Sequence, residues 1–332
     1  MSDDRPHPVD VTTAWLAGGG EMGRRIRAFD WASTSLGPPT SWPQSLRSAI
    51  SILLPSKAQI CMFWGPELVK LYNDAYISVL GGKHGSVLGL PGRQVWPEIW
   101  DVLGPLLGGV IATGEAFRAV DHPFYLDRRG FAEETYFDVS YDPVRDETGR
   151  VGGVFCIVSE TTGRVLSERR LRTLRDLARA RESRSPAEAC RLALGSLVAS
   201  QQDIPFMSLY LLDEDGAVAR SQGTIGVAPG GALNPAVVAL DDEAWPFAAV
   251  ASSGRPLVHD RLAPEAASEM PSNAAADRTL ILPIMRSGQC AGFIVAGTSR
   301  FQALEETYRD FFGGMVQAIE AWLAGKPINV LA

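Results

Sequence analysis

Three segments rich in β-branched and aromatic residues, Ala116–Leu126, Phe131–Pro143 and Arg150–Val158, follow one another with only Asp127–Gly130 and Asp146–Gly149 between them. Connections that short join antiparallel neighbours, because a parallel pair needs a crossover of a dozen or more residues. Two further strand-like runs, "QICMFWG" and "LVKLYN", meet at Gly65-Pro66 upstream. Between the two groups lie short, glycine-punctuated helical stretches, "AYISVLGGKHGSVLGLPGRQVWPEIWDVLGPLLGGVIATG". Strand–strand–helices–three strands is not the alternation of a parallel sheet; it predicts an α+β fold, a mainly antiparallel sheet flanked by helices.

The last of these strands feeds, across Ser159–Gly163, into a segment crowded with arginine: Arg164 to Arg184 holds eight Arg against three acidic residues. Leu171, Leu174 and Ala178 recur three and four apart in it, a heptad-like seam. Ser185-Pro186-Ala187-Glu188 combines a capping box with proline at a first helical position, so the basic helix is expected to end near Glu182 and a new one to start at Pro186. The second half then repeats the antiparallel logic. Hairpins are expected at Asp213–Gly216 in "PFMSLYLLDEDGAVARSQG" and at Ser287-Gly288 in "RTLILPIMRSGQCAGFIVAG", with a helix around Trp245–Ser253 between them. A final helix carries Tyr308, Phe312, Met315, Ile319 and Trp322 at alternating spacings of four and three, a seam suited to packing on another helix or across a dimer axis. Ahead of everything, "EMGRRIRAFDWAS" and "SWPQSLRSAISILL" read as amphipathic helices split by "LGPPTSWP", with Ser41 as a cap for the second.

At 332 residues the chain accommodates two ordinary domains. Its net charge of −7 argues against nucleic acid as a partner, since phosphate neutralisation needs a basic field. The arginine-rich segment does not change this: it lacks the interleaved aromatics of a single-strand binder and the apolar breadth of a membrane-surface helix, and reads as a solvated connector. No apolar run reaches the ~18 residues of a membrane span, and the N-terminal residues MSDDRPHPVD carry no signal-peptide pattern. With Cys61, Cys156, Cys190 and Cys290 far apart and in no metal-type spacing, a reduced cytoplasmic setting is expected.

The motifs that could carry chemistry are weak. "GGGEMG" matches a dinucleotide loop in letters, but no strand precedes it and no parallel βαβ unit follows. His84 and His122 have no second ligand nearby, and His7 and His259 no better case, so surface or loop histidines are expected and no metal. None of the cysteines has a histidine at readable spacing, which favours inert buried thiols. Trp15, Trp31, Trp42, Trp64, Trp96 and Trp100 crowd the first hundred residues; core aromatics are a stronger reading than a pocket for a flat ligand. No paired carboxylates, nucleophile triad or Walker loop appears, so catalysis is not expected.

Taken together, "FDWASTSLGPPTSWPQSLR", "FWGPELVKLYNDAY", "GRQVWPEIWDVLGP", "EETYFDVSYDPVRDETGRVGGVFCIVSETT" and "VLSERRLRTLRDLA" resemble the PAS domains at the N-termini of bacterial hybrid sensor histidine kinases. "DIPFMSLYLLDEDG", "LILPI", "GFIVAGTSRF" and "ALEETYRDFF" resemble a GAF domain. The resemblance implies an N-terminal helical cap over residues 1–50, a PAS domain over 51–163, a signalling helix over 164–184 and a GAF domain over 185–326. It implies a sensory module without catalysis, acting on a kinase or other effector, with a small-molecule ligand and a homodimer as partners. The PAS pocket implied is Phe63, Tyr72, Trp96, Trp100, Phe117, Tyr136 and Phe155; the relay or dimer residues are Leu171, Leu174, Ala178, Tyr308, Phe312, Met315, Ile319 and Trp322. Asn73 reads as a structural cap. The chain departs from the cofactor-binding branches of both families: the reactive-cysteine motif of flavin photoreceptors and the NKFDE-type residues of cyclic-nucleotide GAF domains are absent. Asp203-Ile204-Pro205 mimics part of a bilin signature without the N-terminal attachment cysteine. No haem, flavin or bilin is therefore expected. A ligand-free interaction scaffold is the alternative.

Overall fold

A computed structural model describes residues 15, 16, 18–179, 186–259 and 276–324. The chain divides into two compact units, Met1–Val165 and Leu166–Ala332, each built on its own antiparallel sheet flanked by helices.

In the first unit the strands are β1 (Gln59–Trp64), β2 (Val69–Tyr72), β3 (Phe117–Asp127), β4 (Ala132–Arg145) and β5 (Val151–Glu160), arranged in the order β2-β1-β5-β4-β3. The short turns read from the sequence are the β1–β2, β3–β4 and β4–β5 hairpins. Between β2 and β3 run the short helices α3 (Ile77–Leu80) and α4 (Gly92–Val95) and the longer α5 (Trp100–Thr113), with α1 (Gly20–Ala28) and α2 (Gln44–Leu53) ahead of β1. In α2, Leu46, Ala49, Ile50 and Leu53 fall on one stripe and are all buried, which is why a run this polar elsewhere folds as a helix. Its N-cap is Pro43 rather than Ser41, whose hydroxyl instead donates to the Pro38 carbonyl and closes the preceding turn. β1 is buried on both faces: Cys61 and Phe63 face one way, Ile60, Met62 and Trp64 the other. Gly153 is required where β5 passes β1, because a Cβ there would lie 2.5 Å from the Phe63 carbonyl oxygen and 2.5 Å from the Trp64 indole.

β5 leads directly into α6 (Thr162–Arg179). In the second unit follow α7 (Pro186–Leu197), β6 (Met207–Leu212), β7 (Val218–Ile225), β8 (Val237–Ala239), α8 (Phe247–Ser253), β9 (Leu257–His259), β10 (Ala276–Arg286), β11 (Gln289–Ser299) and α9 (Glu306–Leu323). The sheet order is β8-β7-β6-β11-β10-β9. The end of the basic helix expected near Glu182 lies outside the described residues, whereas the restart at Pro186 is observed. The period of two in β6, β10 and β11 splits the core in two. Met207, Leu209, Leu211, Leu280, Leu282, Ile284 and Ile294 pack under α7 and α9; Tyr210, Ile281, Phe293 and Val295 face α8 with Phe247 and Val250.

The seam of α9 corrects one expectation. Tyr308, Phe312, Met315, Ile319 and Trp322 are all buried within this chain, so the sheet and α7 consume the face that had suggested a dimer axis. On α6 the inward side is also displaced from the heptad reading. Arg170, Thr173 and Leu177 are buried and Leu174 packs beside them, while Leu171 is 51% exposed and Ala178 is exposed.

Candidate functional site

Two features of the first unit gather chemistry: a narrow cavity between the sheet and the helices, and the joint at which β5 becomes α6. The cavity is lined by Cys61, Phe63, Tyr76, Trp96, Leu103, Phe137, Tyr141 and Cys156, among others. About 30 Å³ of it admits the centre of a water molecule, room for roughly two waters.

Behind the Phe63, Tyr76 and Trp96 wall sits Lys70, fully buried on β2. Its ammonium lies 4.7 Å from the Phe63 ring centre, 4.4 Å from that of Tyr76 and 5.1 Å from that of Trp96, and it donates to the Tyr76 hydroxyl at 3.1 Å. The β1–β2 register sets Phe63 opposite Lys70, and the β1–β5 register sets Cys61 opposite Cys156. Burial pushes the Cys61 thiol up, but the Cys156 thiol beside it, the Lys70 ammonium and the Tyr76 hydroxyl outweigh this and bring its pKa down to about 6. Burial pulls Lys70 down from the ordinary amine value, and the charge of Cys61 opposes that fall. Cys156 and Tyr76 both move well up, each chiefly because burial penalises its charged form.

Of the residues expected to line a pocket, Phe63 and Trp96 do. Tyr72 is buried beside it but spends its hydroxyl on His84, 3.1 Å from Nδ1 and 3.0 Å from the carbonyl. Trp100 packs its indole over Gly92 and Gly104. Phe117 leans on Tyr141 at the sheet edge, Tyr136 donates to Glu134 at 2.8 Å, and Phe155 shares the face of its register partner Met62, away from the cavity. Asn73 is the cap it was read to be: its side chain accepts from the Tyr76 and Ile60 N–H groups and donates to the carbonyls of Leu53, Ser56 and Ala58. Lys70, Cys61, Cys156, Tyr76 and Tyr141 were missed. The available signal was Lys70 itself, a lysine at mid-strand in the apolar run "LVKLY".

The joint is held by charge. A register shift between Ala119 and His122 leaves Asp121 at φ 51, and its carboxylate takes hydrogen bonds from Thr161 at 2.7 Å and Arg164 at 2.5 Å. Thr162 accepts from the Tyr136 N–H at 3.0 Å. Beside it the Arg128 guanidinium, 6% exposed, reaches Glu133 at 2.6 Å and Glu160 at 2.7 Å. In the second unit the later turns of α6 meet a buried carboxylate. Asp203 receives both arms of Arg169, at 2.6 and 2.9 Å, and an amide hydrogen from Gln302 at 2.9 Å, with Arg170 at 3.5 Å. Arg170 also lies over the Tyr308 ring, 4.4 Å from its centre. The aspartate of the bilin-like Asp-Ile-Pro triplet is therefore occupied by arginines. On the opposite face of that sheet, Phe247 stacks on Phe293 at 4.2 Å, and Tyr210 donates to Asn234 at 3.1 Å.

Among the described residues no group of three His, Cys, Asp or Glu is placed to hold a metal ion, and no helix is long and apolar enough to cross a membrane.

Residues 183–324 match the family model of the GAF domain. No curated protein matches the chain in sequence. Among solved structures, the chain is similar to the GAF domain of an Acinetobacter phosphoenolpyruvate-protein phosphotransferase, at 17% identity and a TM-score of 0.36 over 47% of this chain and 92% of that one. It is also similar to a free methionine-R-sulfoxide reductase from Neisseria meningitidis, at 12% identity and 0.34 over 45% and 85%. A third is the chromophore-binding domain of Stigmatella aurantiaca phytochrome P1, at 15% identity and 0.36 over 81% and 95%. The family match covers the second sheet together with α7 and α9, and that part of the chain is a GAF domain, a sensory and regulatory module of signalling proteins.

Proposed function

We propose that the chain is a signal-input module in which a PAS domain precedes the GAF domain and α6 carries a change in packing between them to a kinase or other effector of a two-component pathway. The observation that carries the reading is α6 itself. It grows out of β5, is tied at its first turn to β3 by Asp121 and Arg164, and buries Arg170, Thr173 and Leu177 in the core of the GAF domain. A packed helix has discrete arrangements rather than continuous give, so a change at one end can select among them. The input is a small molecule or a partner acting on the domain that holds the cavity lined by Phe63, Trp96 and Leu103, and it must bind the two arrangements with different affinity for anything to move.

The narrowness of the cavity favours a second reading, an interaction scaffold with no ligand. Self-association would then use residues other than the buried seam of α9; of the seam leucines read from the sequence on α6, Leu171 is the exposed one, at 51%. Native mass spectrometry and solvent extraction of the purified chain, with sedimentation at several concentrations, separate the two. A co-purifying small molecule whose removal changes hydrogen exchange along α6 supports the sensor. An empty chain that dimerises, and stops doing so in Leu171→Glu, supports the scaffold; an empty chain that is monomeric counts against both.

A further inference from the structure

The cluster beside the cavity is more than packing. A fully buried ammonium needs an anion close by, because a charge stripped of water and left unpaired is strongly disfavoured. The groups that raise the Lys70 pKa are Cys61 and Cys156, and the Tyr76 hydroxyl accepts a hydrogen bond from the ammonium without supplying a charge. Geometry makes Cys61 and Cys156 partners of each other as well. They are cross-strand neighbours, and Gly65 N–H donates to the Gly152 carbonyl further along the same ladder. That bond makes Cys61 and Cys156 a hydrogen-bonded pair with Cα atoms ~5.5 Å apart, within the ~4.4–6.8 Å that a disulfide spans. Both thiols line the cavity, whose space for roughly two waters is enough to hold a molecule the size of hydrogen peroxide.

We propose that Cys61 is a thiol oxidised by hydroperoxides, with Cys156 as its resolving partner and Lys70 as the counter-charge that keeps it a nucleophile. In the first step the Cys61 thiolate attacks a peroxide oxygen. The S–O bond forms, the O–O bond breaks, and the leaving oxygen takes a proton from the Lys70 ammonium and departs as water. In the second, the Cys156 sulfur attacks the Cys61 sulfenic sulfur: S–S forms, S–O breaks, and the hydroxyl leaves as water with the Cys156 proton. The two sulfurs lose two electrons and one hydrogen peroxide becomes two waters. The Cβ atoms must draw together for this bond, which leaves it easy to reduce. The switch sits on β5, the strand that leads into α6, and it requires no ligand in the cavity.

The test treats the full chain with hydrogen peroxide at neutral pH, blocks remaining thiols, and maps the peptides by mass. The expected result is a Cys61–Cys156 link, lighter by two hydrogens and reversed by dithiothreitol, while Cys190 and Cys290, whose thiols burial pushes up, stay free at the same dose. In Cys156→Ser, dimedone should trap a sulfenic acid on Cys61. Lys70→Met keeps the stem and removes the charge, and should slow Cys61 oxidation about tenfold by reducing the thiolate fraction. Free Cys61 and Cys156 peptides after peroxide, or oxidation of Cys190 or Cys290 first, would overturn the proposal. An unchanged rate in Lys70→Met would overturn the role of the lysine; should that variant fail to fold, the wild-type map decides alone.

Discussion

Replacing Asp203 by asparagine keeps the shape of the side chain and removes one charge from a site with no access to water. Three donors depend on that carboxylate: the two arms of Arg169 and the Gln302 amide, with Arg170 adjacent. Removing one partner of a buried ion pair costs roughly 3–5 kcal/mol, mostly because the other charge is stranded. The Arg169 side chain is 17% exposed and recovers some hydration, whereas that of Arg170 is 10% exposed and recovers little, which places the cost near the lower end, about 3 kcal/mol. For a unit spanning Leu166–Ala332 that corresponds to a fall in melting temperature of about 6–12 °C. Calorimetry on the full chain should show the transition of the second unit moving down and that of the first staying in place. Arg169→Gln alone should cost less, and the double variant should be less destabilised than the two single changes summed, by about 1–3 kcal/mol. A shift below about 2 °C in Asp203→Asn, or strict additivity with Arg169→Gln, would refute the idea that this carboxylate fastens α6 to the GAF core.

Asn73→Ala should cost about 3 kcal/mol in the first unit, read as a lower urea midpoint at unchanged slope, because it leaves the Tyr76 and Ile60 N–H groups and three carbonyls short of partners. Gly153→Ala should destabilise the same unit by roughly 1–3 kcal/mol, since the new methyl meets the Phe63 carbonyl and the Trp64 ring; full wild-type stability in a thermal melt would contradict the close approach of β1 and β5. Burial pushes the Glu160 carboxyl up, but the hydrogen bonds and charge of Arg128 outweigh it and hold the group below the ordinary value of 4.5. A depressed carboxylate stabilises the fold in full above its unfolded pKa and stops doing so as pH falls through its folded one. The first unit should therefore lose stability as pH drops below about 4.5, and Glu160→Gln should flatten that part of the pH–melting profile.

What the sequence determined by itself were the local elements and their order. Short turns at Asp127–Gly130, Asp146–Gly149, Asp213–Gly216 and Ser287-Gly288 leave an antiparallel hairpin as the only economical connection, and the period of two in "LILPI" and "GFIVAG" assigns faces without further information. Helical periodicity likewise identified the buried stripe of α9, but it cannot say what buries a stripe: the same seam suits a second chain or the chain's own sheet, and only the tertiary structure placed Tyr308, Phe312 and Trp322 inside. Charge misled in a similar way. The arginines of α6 read as a solvated face because their partners, Asp121 and Asp203, lie in distant strands and loops, so Arg170 could be buried only where the fold brought Asp203 and Tyr308 to it. The cysteines were the largest omission. Cys61 and Cys156 belong to segments on either side of most of the first domain, and no spacing rule connects them. Sheet register alone sets them opposite each other, with Lys70 on the next strand to give one of them a charge. Reactivity of this kind depends on distances between strands, which local sequence does not encode.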